Sequence, residues 1–307
     1  MTVLAGGVGA ARFLRGLIDV VDPASITVIG NTADDEEFLG LHVSPDLDTV
    51  VYTLADAVDP ETGWGLAGDT YHTLEQAGRL GEETWFKLGD RDIATHLLRT
   101  RLLRAGRSLS EATAEVCRAF GVAVTLLPMS DDRVRTVVTT DGGELSFQEY
   151  FVHRRQQDEV RALRFEGASA ARPAPGVLDA LRDAEAVIIA PSNPLVSIGP
   201  VLAVPGVREA LRETTSPVVA VSPIIGGKAL KGPADRMLAS LGHESSAVGV
   251  ARLYAAFLDV FVLDNEDAAL ASEAGALGAR AVVTDTIMRD PETRRALARA
   301  TLDAVLS

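Results

Sequence analysis

Short apolar runs bounded by glycine, proline and polar clusters recur along this chain, and their spacing sets the expected architecture. Val3-Leu4-Ala5 stops at Gly6-Gly7-Val8-Gly9, and Phe13, Leu14 and Leu17 then fall at helical spacing, which predicts strand, tight loop and helix. A second run, Ile26 to Ile29, ends at Gly30-Asn31-Thr32-Ala33 and four consecutive acids, Asp34 to Glu37. Together they make a βαβ unit, so these polar residues are expected at the carboxyl edge of a parallel sheet, beside the glycine loop. Ser44-Pro45 then opens a helix that carries Asp46 and Asp48 in its first turn.

From Asp59 to Phe120 the pattern turns helical, with two tryptophans (Trp64, Trp85) and no β-branched runs. Val122 to Leu127 returns to β pattern, and Val134 to Thr139 with Glu144 to Phe147 flank Asp141-Gly142-Gly143, which predicts a hairpin. The second half alternates helix and buried strand: Pro175 to Arg182, Ala186 to Ala190, Pro217 to Val221, Val260 to Leu263, Ala281 to Thr284 and a last helix from Pro291. The expected fold class is α/β, a doubly wound, mostly parallel Rossmann-like sheet with a helical insertion and a β-hairpin addition. Residues 1–58 and 122–307 form the core, and 59–121 the insertion.

Glycine loops at strand ends permit positive φ and let backbone amides approach a ligand, while a helix start adds free N–H groups and a positive dipole end. Gly7, Gly9 and Arg12 are therefore the first candidates for phosphate binding. A dinucleotide fingerprint requires glycine where Arg12 stands, and no Gly-Lys-Ser/Thr run marks a P-loop. Asp34 and Asp35, nearest the strand end, and Asp48 are candidate ligands for Mg²⁺, a hard ion that takes oxygen donors. Asp46 also suits a helix cap, and Glu36 and Glu37 a solvated helix start. Trp85-Phe86-Lys87-Leu88-Gly89-Asp90-Arg91 joins an aromatic pair to Asp90 and Arg91, a combination suited to a flat heteroaromatic ligand bearing hydroxyls. The proline-rich loop after Ala190 supplies Ser192, Asn193 and Ser197, and Gly226-Gly227-Lys228, with Lys231 beyond, makes a second phosphate-friendly turn.

Composition narrows the partners. Hydrophobic residues make up 47% and charged residues 23%, as in globular proteins, and the net charge of −14 argues against nucleic acid and anionic membranes. A phosphorylated ligand then needs local cations or a metal. The single cysteine, Cys117, forms no intrachain disulfide, which fits a reducing compartment. With no secretory pattern and no apolar run of membrane-span length, the expected location is the cytoplasm.

Taken together, LAGGVGAARFLRGL, SPDLDTVVYTL, WFKLGDRDIATHLLRT, APSNPLVSIGPVLAVPGVREAL and SPIIGGKALKGPADRML resemble the phospholactate transferase family of coenzyme F420 biosynthesis, including its phosphoenolpyruvate-transferring branch. The resemblance runs along essentially the whole chain. It implies movement of a phospho-acid unit (phosphoenolpyruvyl, 2-phospho-L-lactyl or a glyceryl version) from a guanosine diphosphate-activated donor to the ribityl hydroxyl of the deazaflavin FO. GMP is released and Mg²⁺ is the implied cofactor. It further implies that Asp48 and Arg91 touch the deazaflavin, with Asp48 as candidate base, metal ligand or both; Asp90 and Trp85 are assigned beside them. By position in the fold, Gly7, Gly9 and Arg12 are assigned to the diphosphate, Ser192, Asn193 and Ser197 to the nucleotide, and Gly227 and Lys228 to phosphate or acid. A homodimer is expected. The runner-up is a non-enzymatic regulator binding sugar nucleotides, from a related family with a similar glycine-rich start. A nicotinamide-dependent dehydrogenase is more distant, since Arg12 replaces the third glycine.

Overall fold

The buried runs pair side by side in a seven-stranded, all-parallel sheet. Its strands are β1 (Thr2–Ala5), β2 (Thr27–Gly30), β3 (Thr125–Pro128), β4 (Val187–Ile189), β5 (Val218–Val221), β6 (Val260–Asp264) and β7 (Arg280–Thr284). The computed structural model describes residues 1–306. The strand order is β7-β6-β5-β4-β1-β2-β3, so the chain starts mid-sheet, runs outward on one side and returns to pair β4 with the other edge of β1. The direction of winding therefore reverses between β1 and β4, and that reversal opens a crevice at the carboxyl ends of the two strands.

Alternation along the strands feeds two cores. Val3 and Ala5 face one layer with Phe13, Leu14 and Leu17 of α1 (Gly7–Leu17), Val50 and Val51 of α2 (Pro45–Leu54), and Leu297 of the final helix Pro291–Leu306. Leu4 faces the opposite layer, with Leu181, Val201, Leu211 and Val250. The insertion holds α3 (His72–Arg79), α4 (Asp90–Arg104) and α5 (Leu109–Ala119). A capping box between Ser108 and Glu111 starts α5, whose Val116 and Cys117 share a core layer with Val28 and Leu126, so α5 is also the crossover leading into β3.

Two local expectations change. The predicted hairpin is the inner part of a three-stranded antiparallel sheet, Gly143–Ser146, Arg135–Thr140 and Val160–Glu166. The third strand carries little apolar signal in the sequence, because Arg161, Ala162, Arg164 and Glu166 are exposed. Glu36 and Glu37 do not start a helix: Glu36–Phe38 pairs with Leu41–Val43 in a short ribbon. Among the described residues no helix is long and apolar enough to cross a membrane.

The loop between β1 and α1 is as short as a connection can be, since α1 begins one residue after Gly6. Gly7 has φ +71°, which only glycine adopts freely. Gly9 is required for a different reason: a Cβ there would lie 2.3 Å from the Pro191 carbonyl oxygen of the loop after β4. A Gly9→Ala variant is expected to lose about 2 kcal/mol of stability, because two backbones must part. Urea unfolding checks this; a midpoint unchanged from the wild type would refute it.

Candidate functional site

The crevice between β1 and β4 continues into a cleft of about 1010 Å³. Gly7, Gly9, Arg12, Asp34, Asp48, Trp85, Ser192, Asn193 and Ser197, drawn from five stretches of sequence, all line it. Their side chains are not all free to bind a ligand. Ser192 Oγ accepts from Gly6 N at 3.3 Å, and Asn193 Oδ1 accepts from Leu195 N at 2.9 Å, so both also brace the loops they stand on.

Five assigned residues do not reach the cleft wall. Asp90 accepts from Thr70 Oγ1 at 2.6 Å, Thr73 N at 2.8 Å and His72 N at 3.0 Å, which ties α4 to the start of α3. The bond from Thr70, then those from Thr73, hold its carboxyl well below the usual carboxylate range. Arg91 points to the other side of α4, where Nη1 donates to the Ala67 carbonyl at 2.9 Å beside a smaller cavity. Asp35 accepts from Ser44 Oγ at 2.6 Å and pairs with His42 at 3.0 Å, holding the ribbon to the start of α2. Gly227 lies in the turn between the paired residues Ile225 and Lys228, and Lys228 is exposed against Asp235. These residues stand on other faces of α4, the ribbon and the hairpin. In their place the cleft receives Lys87, Asp46, Asp92, His96, Tyr52 and Lys231. All six stand within or beside the motifs quoted above.

At the floor, α2 and α4 join through charged groups. The Arg99 guanidinium grips both oxygens of Asp48, with Nη1 at 3.0 Å from Oδ2. Tyr52 donates to Asp92 Oδ1 at 2.6 Å, and His96 Nε2 faces the same oxygen at 3.3 Å. Burial pushes Asp92 up, but the facing His96 and the hydrogen bond from Tyr52 prevail and keep it below the usual carboxylate range. Burial, with Asp48 and Asp92 alongside, raises Tyr52 far enough that it stays a donor.

A second acidic group stands at the head of α1. One amide, Asn31 Nδ2, donates to Asp34 Oδ2 at 3.0 Å and to Asp46 Oδ2 at 2.9 Å, and the buried Asp34 Oδ1 has no partner. Burial, with Asp46 beside it, raises Asp34 well above the usual range; burial raises Asp46 to about 6. The set Asp34, Asp35 and Asp48 is not assembled: Asp35 is committed to His42 and Ser44, and Asp48 to Arg99. Among the described residues no group of three His, Cys, Asp or Glu gathers at metal-binding spacing. Asp35 Oδ1 is also without a partner, but its Oδ2 is held by His42 and Ser44; Asp34 with Asp46 fits a divalent cation better, because the pair offers hard oxygen donors with only Asn31 bridging them, next to the amides of Gly6 and Gly7.

The Asp46 shift carries a sign. Its folded value, about 6, lies above the unfolded one, about 4, so its stabilising contribution is complete below pH 4 and is lost as pH rises through 6. In metal-free buffer the wild type is expected to lose on the order of 1 kcal/mol between pH 5 and 7 relative to Asp46→Asn. Mg²⁺ should restore it at pH 7. Parallel unfolding curves for the two proteins at pH 5 and 7 would count against this.

The rest of the cleft lining includes aromatic and cationic groups. Trp85 stacks on His153 with ring centroids 5.1 Å apart, and Phe86 stacks on Phe38 at 4.1 Å. Arg12 and Lys231 meet near the Thr62–Trp64 turn, where Lys231 Nζ donates to the Thr62 carbonyl at 3.1 Å. Burial, then the Arg12 charge, lowers the Lys231 ammonium.

A doubly wound sheet with a large cleft at its switch point, lined by glycines, cations, carboxylates and aromatic rings, has the architecture of α/β proteins that hold small molecules there. The model of the family "2-phospho-L-lactate transferase CofD" matches residues 1–302, and the chain belongs to that family. It is 48% identical over 309 residues to a phosphoenolpyruvate transferase of Streptomyces griseus, covering 99% of this chain and 97% of that protein. A 2-phospho-L-lactate transferase of Methanosarcina mazei is 41% identical over 304 residues, covering 99% of this chain and all (100%) of that one. A solved structure from Bacillus halodurans shares the fold, with a TM-score of 0.67 at 19% identity and 98% of each chain covered. A second structure of that same protein, described as a UPF0052 family member, gives 0.61 at 17%, also covering 98% of each chain.

Proposed function

We propose that this protein moves a phospho-acid unit from a guanosine diphosphate-activated donor to the ribityl hydroxyl of the deazaflavin FO, with Mg²⁺ as cofactor. The observation that carries this reading is the convergence in one cleft of the helix start at Gly7, the Asp34–Asp46 pair, Trp85, Phe86 and Asp48. The amides at the head of α1, with Arg12 and Lys231, receive the diphosphate. Asp34 and Asp46 are the residues that would hold Mg²⁺, which when bound neutralises phosphate charge. The wall formed by Trp85 and Phe86 receives the flat ring system, and Asp48 accepts a hydrogen bond from the hydroxyl and orients it. The hydroxyl oxygen bonds to the phosphorus that carries the acid, the bond to the bridging oxygen breaks, GMP leaves, and the hydroxyl proton passes to a neighbouring base or water.

A mass-resolved transfer assay with Mg²⁺, FO and the enolpyruvyl, lactyl and glyceryl donors in turn tests the proposal. Product and GMP from one donor support it and name the acid. No product from any donor, with folded protein that binds a UDP-sugar but not FO, replaces it with a nucleotide-binding regulator.

A further inference from the structure

Arg99 does not line the cleft, yet it touches two groups that do. It is 1% exposed and grips the Asp48 carboxylate, while the same Nη1 lies 3.3 Å from His96 Nδ1. A guanidinium donates and never accepts, so Nδ1 must be the bare, accepting nitrogen of the imidazole. The proton of a neutral His96 then sits on Nε2, which faces Asp92 Oδ1 at 3.3 Å, a carboxylate that likewise accepts and never donates when ionised. Arg99 imposes this tautomer, and the Asp92 carboxylate, near Nε2 without a formed hydrogen bond, is compatible with it. His96 is itself 1% exposed, so solvent offers it no partner, and the other group near Nδ1, Asp48 Oδ2, lies farther away at 3.7 Å and is itself held by Arg99.

We propose that Arg99 is the positioning residue of this site: it fixes the orientation of Asp48 and, through Nδ1, confines the His96 proton to Nε2, so that a ligand meets one fixed donor–acceptor pattern along the floor. The pattern runs from Asp48 through Arg99, His96 and Asp92 to Tyr52, across two helices. Lysine cannot replace Arg99, because a single ammonium lacks the planar fork that serves a carboxylate and an imidazole together. The consequence for turnover rests on the transfer reading above; the tautomer does not.

The test has two arms. In wild-type protein labelled with ¹⁵N-histidine, long-range ¹H–¹⁵N correlation spectra resolve the tautomer of each of the five histidines. His96 is assigned as the signal lost in His96→Asn. A bare Nδ1 and protonated Nε2 at pH 7 are expected; a proton on Nδ1 overturns the proposal. In Arg99→Lys, mixed tautomers and a kcat lower by roughly tenfold to a hundredfold are expected, with KM for both substrates within about threefold. A folded Arg99→Lys protein that keeps kcat within about twofold overturns the positioning role. If that variant does not fold, the wild-type spectrum still decides. If the wild type transfers nothing, the transfer reading fails while the spectrum tests the network independently.

Discussion

Asp48→Asn is expected to lower transfer at least a hundredfold and, at the same time, to cost about 3 kcal/mol of stability. The first effect follows from its place on the cleft floor, where the carboxylate alone among the Asp48 and Arg99 pair faces the ligand. The second follows from Arg99, whose guanidinium is 1% exposed and would be left as a buried charge with a neutral amide in front of it. The double variant Asp48→Asn/Arg99→Met separates the two. It removes both charges and replaces the guanidinium with an apolar side chain, so it is expected to recover most of the stability and none of the activity. Urea unfolding and the transfer assay on the same preparations check the pair. An active single variant would remove Asp48 from the site, and a double variant as unstable as the single one would deny that Arg99 is the source of the loss.

Withdrawal of divalent cations is expected to have an effect of similar size. With EDTA in excess, transfer should fall by more than about a hundredfold and return on adding Mg²⁺, since two anions, the donor diphosphate and the Asp34–Asp46 pair, would otherwise face each other at the head of α1. Asp34→Asn and Asp46→Asn should each raise the Mg²⁺ concentration needed for half-maximal rate by roughly tenfold. Asp35→Asn should leave it within about twofold, because Asp35 serves His42 and Ser44 instead. Full activity in EDTA would dismiss the metal, and sensitivity of the Asp35 variant alone would shift the ligand set back to that residue.

The fold was largely legible in the sequence because the sheet is buried on both faces. Runs such as Val187-Ile188-Ile189 and Val218-Val219-Ala220-Val221 have no solvated side to blur them, and each ends at a glycine, proline or polar break. The strand Val160–Glu166 was not legible, since it packs mainly through Val160, Leu163 and Phe165 and shows charge elsewhere. Within the site, Gly7, Gly9, Asp34, Ser192 and Asn193 lie within about four residues of the end of a buried strand and line the cleft, because the strand ends fix where these stretches emerge.

On helices and hairpins, the side of the element on which a residue falls decides whether it reaches the cleft: Arg12 and Asp48 do. Asp90, Arg91 and Asp92 are consecutive, yet Asp90 braces α3, Arg91 faces a different cavity and Asp92 alone reaches the cleft, because successive helical residues point about 100° apart. Lys228 and Lys231 differ in the same way across one hairpin. The sequence by itself determined the order of the seven parallel strands along the chain, the glycine start and the family. Only the tertiary structure decided which of several neighbouring acids, Asp34 and Asp46 rather than Asp35, stand without a counter-charge, and that Asp48 is held by Arg99 from a helix 51 positions away. Burial and pairing arise from contacts between distant segments, and no local pattern of residue types encodes them.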